Sequence, residues 1–361
     1  MTPPAAAVPS TAAVAKHRPS RLPSLQVLRF LAAFLVVLFH AGAGLQIEFG
    51  LSSNLFYYGA SGVDVFFVLS GFIIAYTSDA SRGVFYFLKR RVARIVPLYW
   101  FLTAGVIAIA LVMPQLLNST VVNAETVWKS FLFIPYQKDS GLVQPILFLG
   151  WTLCYEMYFY LVFAGALMAG RQTPWVVCAV ISLVVLFGAA WPQGPVLWRF
   201  YSDPITLEFL YGVLLHQLFL RWPLLRQGSL PLAAVLCGAG LALYVAGVGL
   251  PRFLGQGVPA AILVVGFLCL RLPEGRTVAL LVLLGDASYS LYLSHPYVLQ
   301  LPIKLLGASH GLALATLASA AFVGVAVLAS LALFFCIEKP AQRLVLSSFG
   351  VSPRRPARAE A

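Results

Sequence analysis

Charge is what this chain has least of. Lysine, arginine, aspartate and glutamate make up 10% of its 361 residues, against about a quarter in a soluble globular protein. Acidic side chains are the scarcer sign, 12 against 24 basic ones. Cysteine is also sparse: Cys154, Cys178, Cys237, Cys269 and Cys336 all fall inside apolar runs, and no CxxC or metal-ligand spacing occurs. They read as small buried hydrophobes rather than a redox or metal set. No GxGxxG or Walker glycine pattern appears, which excludes the common dinucleotide and triphosphatase loops. The first 23 residues are rich in Pro and Ala and lack the apolar core of a cleavable signal, so they read as a disordered tail.

What the chain has instead is apolar length. Sixty per cent of it is hydrophobic and its mean hydropathy is +0.89, the composition of an all-α, polytopic membrane protein. Windows of about 20 apolar residues place ten helices near 25–43, 59–77, 95–113, 148–169, 174–191, 204–220, 230–248, 258–271, 285–306 and 312–337. Lysine and arginine divide 18 to 5 between alternate connections, with the larger share on the side holding both ends of the chain. Cationic excess marks cytoplasmic loops, so both termini are expected in the cytoplasm of a bacterial inner membrane, and the net charge of +12 needs no nucleic acid to explain it. The expected layout is a tail over 1–23, a transmembrane domain over 24–343 and a disordered basic tail over 344–361.

The ionisable residues inside the apolar runs are therefore the informative ones. In LQVLRFLAAFLVVLFHAGA, residues 25–43, Arg29 and His40 stand eleven residues apart. That is three turns plus about 20°, so both project from one face, about 16 Å apart along the axis. Snorkelling of the arginine and an interfacial histidine form the plain alternative. With the termini inside, His40, Asp64, Glu156 and Glu208 all sort to the outer half of the membrane. Asp64 and Glu208 lie near helix starts, where carboxylates suit the dipole; Glu156 lies well inside its run.

Between the second and third runs, FYFLKRRVARIVPLYW carries Arg90, Arg91 and Arg94. Arg91 and Arg94 share a helix face and can grip one polyanion, or simply anchor the loop on anionic lipid. In GDASYSLYLSHPYV, Ser288, Tyr292 and His295 make a polar stripe that serves either a ligand or helix packing. His216 and His310 carry no signal. WKSFLFIPYQ, within the long connection 114–147, reads as a segment lying on or re-entering the membrane.

Taken in order, these stretches resemble the acyltransferase 3 family of integral-membrane acyltransferases. The matching motifs are Arg29 with His40, GVDVFFVLSGFII (62–74), RRVARIVPLYW (90–100), WTLCYEMYFY (151–160), GDASYSLYLSHP and the closing Glu338–Pro340. The wording around Glu156 is similar to exopolysaccharide O-acetyltransferases. The resemblance implies an acyl-CoA donor, acetyl-CoA above all, and a hydroxyl of a cell-surface saccharide, or its lipid-linked precursor, as acceptor. Relatives often append an extracytoplasmic domain; this chain closes soon after its tenth run, so acceptor handling is expected from the membrane domain or from separate polysaccharide-assembly proteins.

On that basis Arg29, Arg91, Arg94 and Arg90 are expected to hold the donor phosphates. His40 is expected to be the base, or the carrier of a transient acyl group, oriented by Glu156 or Asp64. Glu208, Tyr155, Tyr292 and His295 are expected at the acceptor. No metal is expected, because His40 has no second histidine at ligand spacing. The competing class is a transporter or flippase for an anionic glycolipid, which would use the same basic mouth and buried acids.

Overall fold

In the computed structural model every apolar run becomes helix. The structure describes residues 22–350 except 115–116, 118–119 and 307–310, and the backbone alone for 302–306. The tail to residue 21, His310 and everything beyond 350 therefore lie outside the described residues. Among the described residues there is no strand, only an isolated antiparallel bridge between Gln137 and Val143.

The sixteen α-helices of the described residues follow one another as α1 (Pro23–Phe49), α2 (Gly62–Thr77), α3 (Gly83–Val112), α4 (Ala124–Phe131), α5 (Gly150–Ala166), α6 (Thr173–Ala190), α7 (Val196–Tyr201) and α8 (Leu207–Arg221). Then come α9 (Pro223–Gln227), α10 (Leu230–Ala246), α11 (Arg252–Gly255), α12 (Gly257–Leu268), α13 (Arg276–Asp286), α14 (Ser288–Leu306), α15 (Leu312–Leu333) and α16 (Lys339–Ser348). The local signals are legible. Proline opens α1, α6 and α10, where its missing N–H costs nothing. Asn123 and Thr126 form a reciprocal capping box on α4. Gly50, at φ 62°, closes α1 in the left-handed conformation.

All ten expected windows contain helix. Length and apolarity together qualify five helical stretches to cross a membrane, or six if α13 and α14, bent by 70°, count as one. One of the five, Gly150–Ala190, is folded on itself at Gly170, which breaks α5 from α6. The protein is thus an all-helical membrane protein. Helices α8, α10 and α12 are shorter than a full span. Two boundaries differ from expectation. Helix α3 starts twelve residues before the apolar window at 95, because Phe85, Tyr86 and Leu88 extend its helical pattern through the basic cluster. Helix α16 runs past residue 343, where the tail was expected to begin.

Helices in lipid gain little from hydrophobic transfer on packing; close approach and polar contacts hold them together. Helices α2 and α8 touch through backbone. A Cβ at Gly71 would stand 2.0 Å from the Phe209 carbonyl oxygen, and one at Gly212 2.0 Å from that of Val68. Helices α1 and α13 meet the same way, with a Cβ at Gly285 falling 2.0 Å from the Gln26 carbonyl oxygen. Phe67, Phe209 and Phe159 then stack across α2, α8 and α5 at centroid spacings of 4.7 and 4.6 Å. Helix α1 runs through this assembly against α2, α13, α14 and α15, which is why its polar side chains meet protein instead of lipid.

Candidate active site

The polar residues of the bundle fall into three groups. The first surrounds a cavity of about 100 Å³ between α1, α2, α3, α5 and α14, lined by Arg29, Arg91, Arg94, Glu156, Ser288 and Tyr292 among others. The i, i+3 spacing on α3 puts Arg91 and Arg94 on one wall. Arg91 is buried; its Nη2 donates to Thr77 Oγ1 at 2.9 Å, while its Nε has no partner. Its guanidinium lies over the Phe87 and Tyr160 rings at 5.2 and 5.7 Å. Arg29 Nη1 donates to Gln26 Oε1 at 2.9 Å. Glu156 Oε1 accepts from Ser70 Oγ at 3.0 Å and from Tyr160 Oη at 2.5 Å. The Ser288 hydroxyl, fully buried, has no partner. Three guanidiniums and Glu156 therefore border one space, with Asp286 and Glu338 close to Arg29, an arrangement that suits an anion with several oxygens. The volume equals that of a few waters, enough for a phosphate group or a slender arm but not for a nucleoside.

The second group lies farther along α1. His40 Nδ1 sits 2.9 Å from the Val36 carbonyl oxygen and 3.2 Å from His295 Nε2. His295 is fully buried, and its own Nδ1 lies 3.0 Å from the Leu291 carbonyl oxygen. A carbonyl can only accept, so His295 carries its proton on Nδ1 and presents a bare Nε2. His40 Nδ1 then faces two acceptors and must carry the proton. That leaves His40 Nε2 with a free lone pair, on a half-buried ring bordered by Phe39 and Phe148. The imidazole is set to accept a proton or to attack.

The third group lies apart from this cavity, between α2, α8 and α11. Asp64, with no exposed surface, receives two hydrogen bonds from Arg252, Nε to Oδ1 at 2.8 Å and Nη2 to Oδ2 at 3.0 Å. The guanidinium also lies over the Trp151 ring at 5.8 Å. Glu208, equally buried, faces Asp64, and neither of its oxygens makes a hydrogen bond.

The side chains are grouped differently from what was expected. The carboxylates do not gather around His40: Glu156 stands among the arginines, and Asp64 with Glu208 forms a separate cluster. Position along a helix gives depth but not direction around the axis. Glu156 lies six residues into α5, about 9 Å from its start. The group against the imidazole is His295, which α14 brings in from 255 residues away; no spacing rule within one run could show it. Arg90 turns from the cavity to donate to Tyr86 Oη at 3.1 Å, beside Arg82. Tyr155 is buried against Phe200 with ring centroids 4.0 Å apart, whereas Tyr292 lines the cavity with its hydroxyl 3.2 Å from Thr152 Oγ1. The sequence reading passed over Gln26, Ser70, Tyr160 and Arg252. Ser70 and Tyr160 are ordinary in apolar helices, and Arg252 looked like one more loop cation. Among the described residues no group of three or more His, Cys, Asp or Glu converges as a metal site.

Helix α1 thus carries an arginine at a cavity lined by basic residues and, farther along, a histidine paired with a second histidine, all within an apolar helical bundle. Residues 22–337 match the profile of the acyltransferase 3 family, described as an acyltransferase domain, and the chain belongs to that family. It is an acyltransferase. It is 38% identical to the exopolysaccharide production protein ExoZ of Rhizobium meliloti, over 79% of this chain and 90% of that one. It is 30% identical to the acyltransferase MdmB of Streptomyces mycarofaciens, over 90% and 92%. It is 28% identical to the peptidoglycan O-acetyltransferase OatA of Listeria monocytogenes, over 46% of this chain and 27% of that one. No solved structure matches.

Proposed function

We propose that this enzyme moves an acyl group, acetyl in the first instance, from acyl-CoA to a hydroxyl of a cell-surface saccharide or its lipid-linked precursor. The carrying observation is that α1 brings Arg29 into a cavity with Arg91 and Arg94 and, about 16 Å on, presents the bare Nε2 of His40. The names of the relatives, exopolysaccharide production and peptidoglycan O-acetylation, support the saccharide. The lysine and arginine bias supports a ten-span arrangement in the bacterial inner membrane, with termini and donor phosphates on the cytoplasmic side.

In this reading Arg91, Arg94 and Arg29 grip the donor's phosphate region at the cavity mouth. The narrow cavity takes the thioester arm toward Phe66 and Tyr292, whose rings lie 5.9 Å apart and lead on to His295 and His40. His40 Nε2 takes the proton from the acceptor hydroxyl as its oxygen attacks the thioester carbonyl. The C–O bond forms, the C–S bond breaks, and the imidazolium returns the proton to the thiolate leaving group. His295 is a positioning residue: it fixes the tautomer and supports the imidazolium through its lone pair, the task a carboxylate performs in other triads. Asp64 and Glu208 take no part.

The test is acetyl transfer from labelled acetyl-CoA to surface polysaccharide by wild type, His40→Ala and His40→Gln. Both variants should lose about 10²–10⁴-fold in kcat, while acetyl-CoA still raises their unfolding temperature. Full transfer by either variant would remove His40 from the chemistry.

A further inference from the structure

A second concavity, of about 620 Å³, opens between α4, the turn 134–140 and the first turn of α7. Its volume falls within the roughly 300–1,000 Å³ of ordinary ligand pockets, and none of the residues assigned above to donor or proton transfer lines it.

The walls are fixed by the local sequence. Lys138 N–H donates to the Leu142 carbonyl, Gly141 N–H to that of Lys138, and Gln144 N–H to that of Tyr136, which closes a short antiparallel turn. Its base is tied to α4, because Ser130 Oγ accepts from Ile146 N–H at 2.9 Å while Tyr99 Oη donates to the Ser130 carbonyl at 2.9 Å. The turn is also joined to the chemistry. Four residues beyond Gln144, Phe148 lies with its ring 6.0 Å from that of His40. The concavity thus belongs to the histidine end of the bundle, away from the arginines.

The lining discriminates among ligands. Acids and bases balance: Glu125 is paired with Lys129, and Lys138 stands with Asp139, so there is no cationic excess to select a polyanion. Amides and hydroxyls of Asn123, Gln137 and Ser140 add donors and acceptors in quantity, which an acyl chain would not use. Between them Tyr136, Pro135 and Leu197 offer apolar faces. Mixed hydrogen-bonding edges with apolar faces match sugar rings, whose rims carry hydroxyls and whose faces carry C–H groups. Lys138 is half-buried and makes no ion pair among the described residues, so its amino group is left to donate to a ligand oxygen; burial lowers it below the usual lysine range.

We propose that this groove is a subsite for the acceptor saccharide, holding sugar residues next to the one acylated at His40. The proposal rests on the saccharide-acceptor reading and adds where chain length is read.

Two binding and two kinetic measurements on the full-length protein decide it. The probes are a disaccharide and a long fragment cut from the host cell's own surface polysaccharide, each fluorescently labelled. The variants are Tyr136→Ala and the double substitution Gln137→Ala with Asp139→Asn; both residues of the latter are exposed, so it tests the groove without disturbing packing. The long fragment should bind about tenfold more weakly to each variant and show a matching rise in KM. Its kcat, transfer to the disaccharide and acetyl-CoA binding should not change. Unchanged long-fragment binding in both variants, or wild type that binds no fragment, overturns the groove. Wild type that binds the long fragment through these residues but transfers no acetyl group keeps the groove and overturns the acyl-transfer reading instead.

Discussion

The two buried charge clusters of this protein are built from the same side chains and differ in what they enclose. At the cavity, three guanidiniums and Glu156 line open space, with Asp286 and Glu338 near Arg29. At Asp64, one guanidinium closes on one acid through two hydrogen bonds, and Glu208 stands beside them without a hydrogen bond. Like charges crowded around empty space cost free energy until something of opposite sign enters. A bidentate pair on a buried acid is complete already. The comparison teaches that intramembrane charge alone does not mark a site; charge that borders open space does.

The sharpest way to break the comparison is Asp64→Ala. It strips a buried partner from Arg252 and should cost about 3 kcal/mol, the low end for a buried pair because Arg252 is 38% exposed. Unfolding temperature and monodisperse yield should fall, with acetyl-CoA affinity unchanged below the transition. A weakened donor in folded protein would contradict the structural role. Next, Arg91→Ala and Arg94→Ala should each weaken acetyl-CoA binding by about 10- to 100-fold, the loss of a charged hydrogen-bond partner. Measured without donor, Arg94→Ala should be no less stable than wild type, since repulsion within the trio is relieved. A marked drop in its unfolding temperature would return the arginines to a structural account.

A smaller effect is expected of Glu208→Gln. The amide is isosteric and supplies a donor where the carboxylate makes no hydrogen bond. The variant should gain about 1 kcal/mol, read as a higher unfolding temperature with transfer unaltered. Smallest of all is Glu156→Gln, whose remaining carbonyl still accepts from Ser70 and Tyr160. Removing the one negative charge from the cavity should tighten acetyl-CoA binding a few-fold. If transfer is abolished instead with the donor still bound, Glu156 belongs to the chemistry.

These contrasts also mark how far the sequence could be read. Helix positions follow from apolar length, and all ten windows hold helix because twenty apolar residues in lipid can satisfy their backbone in few other ways. Periodicity put Arg91 and Arg94 on one face and Arg29 with His40 on one face of another helix, while the grouping of Arg29 with Arg91 and Arg94 came only from the family resemblance. The carboxylates were misjudged because direction around an axis depends on which neighbour packs there. That in turn depends on details such as Gly71 and Gly212, whose missing Cβ atoms let α8 carry Glu208 up to Asp64. His295 was visible as part of a stripe but not as the partner of His40, because that pairing exists only after α14 bends by 70° from α13 and folds back against α1.

The Asp64–Arg252 contact has a consequence for how the protein is made. The two residues are 188 positions apart in the chain. At about 5–20 residues per second, ribosomal synthesis leaves on the order of ten to forty seconds between the emergence of α2 and that of its partner. During that interval an aspartate must sit in a newly inserted helix, where translocon scales charge about 2.5–3.5 kcal/mol at mid-membrane. Asp64 stands in the first turn of α2, where a carboxylate suits the helix dipole, so the helix N-terminus offsets part of that cost until Arg252 is made. A chain cut before residue 252 would therefore keep α2 but lack both hydrogen bonds to Asp64, leaving a buried carboxylate unpaired.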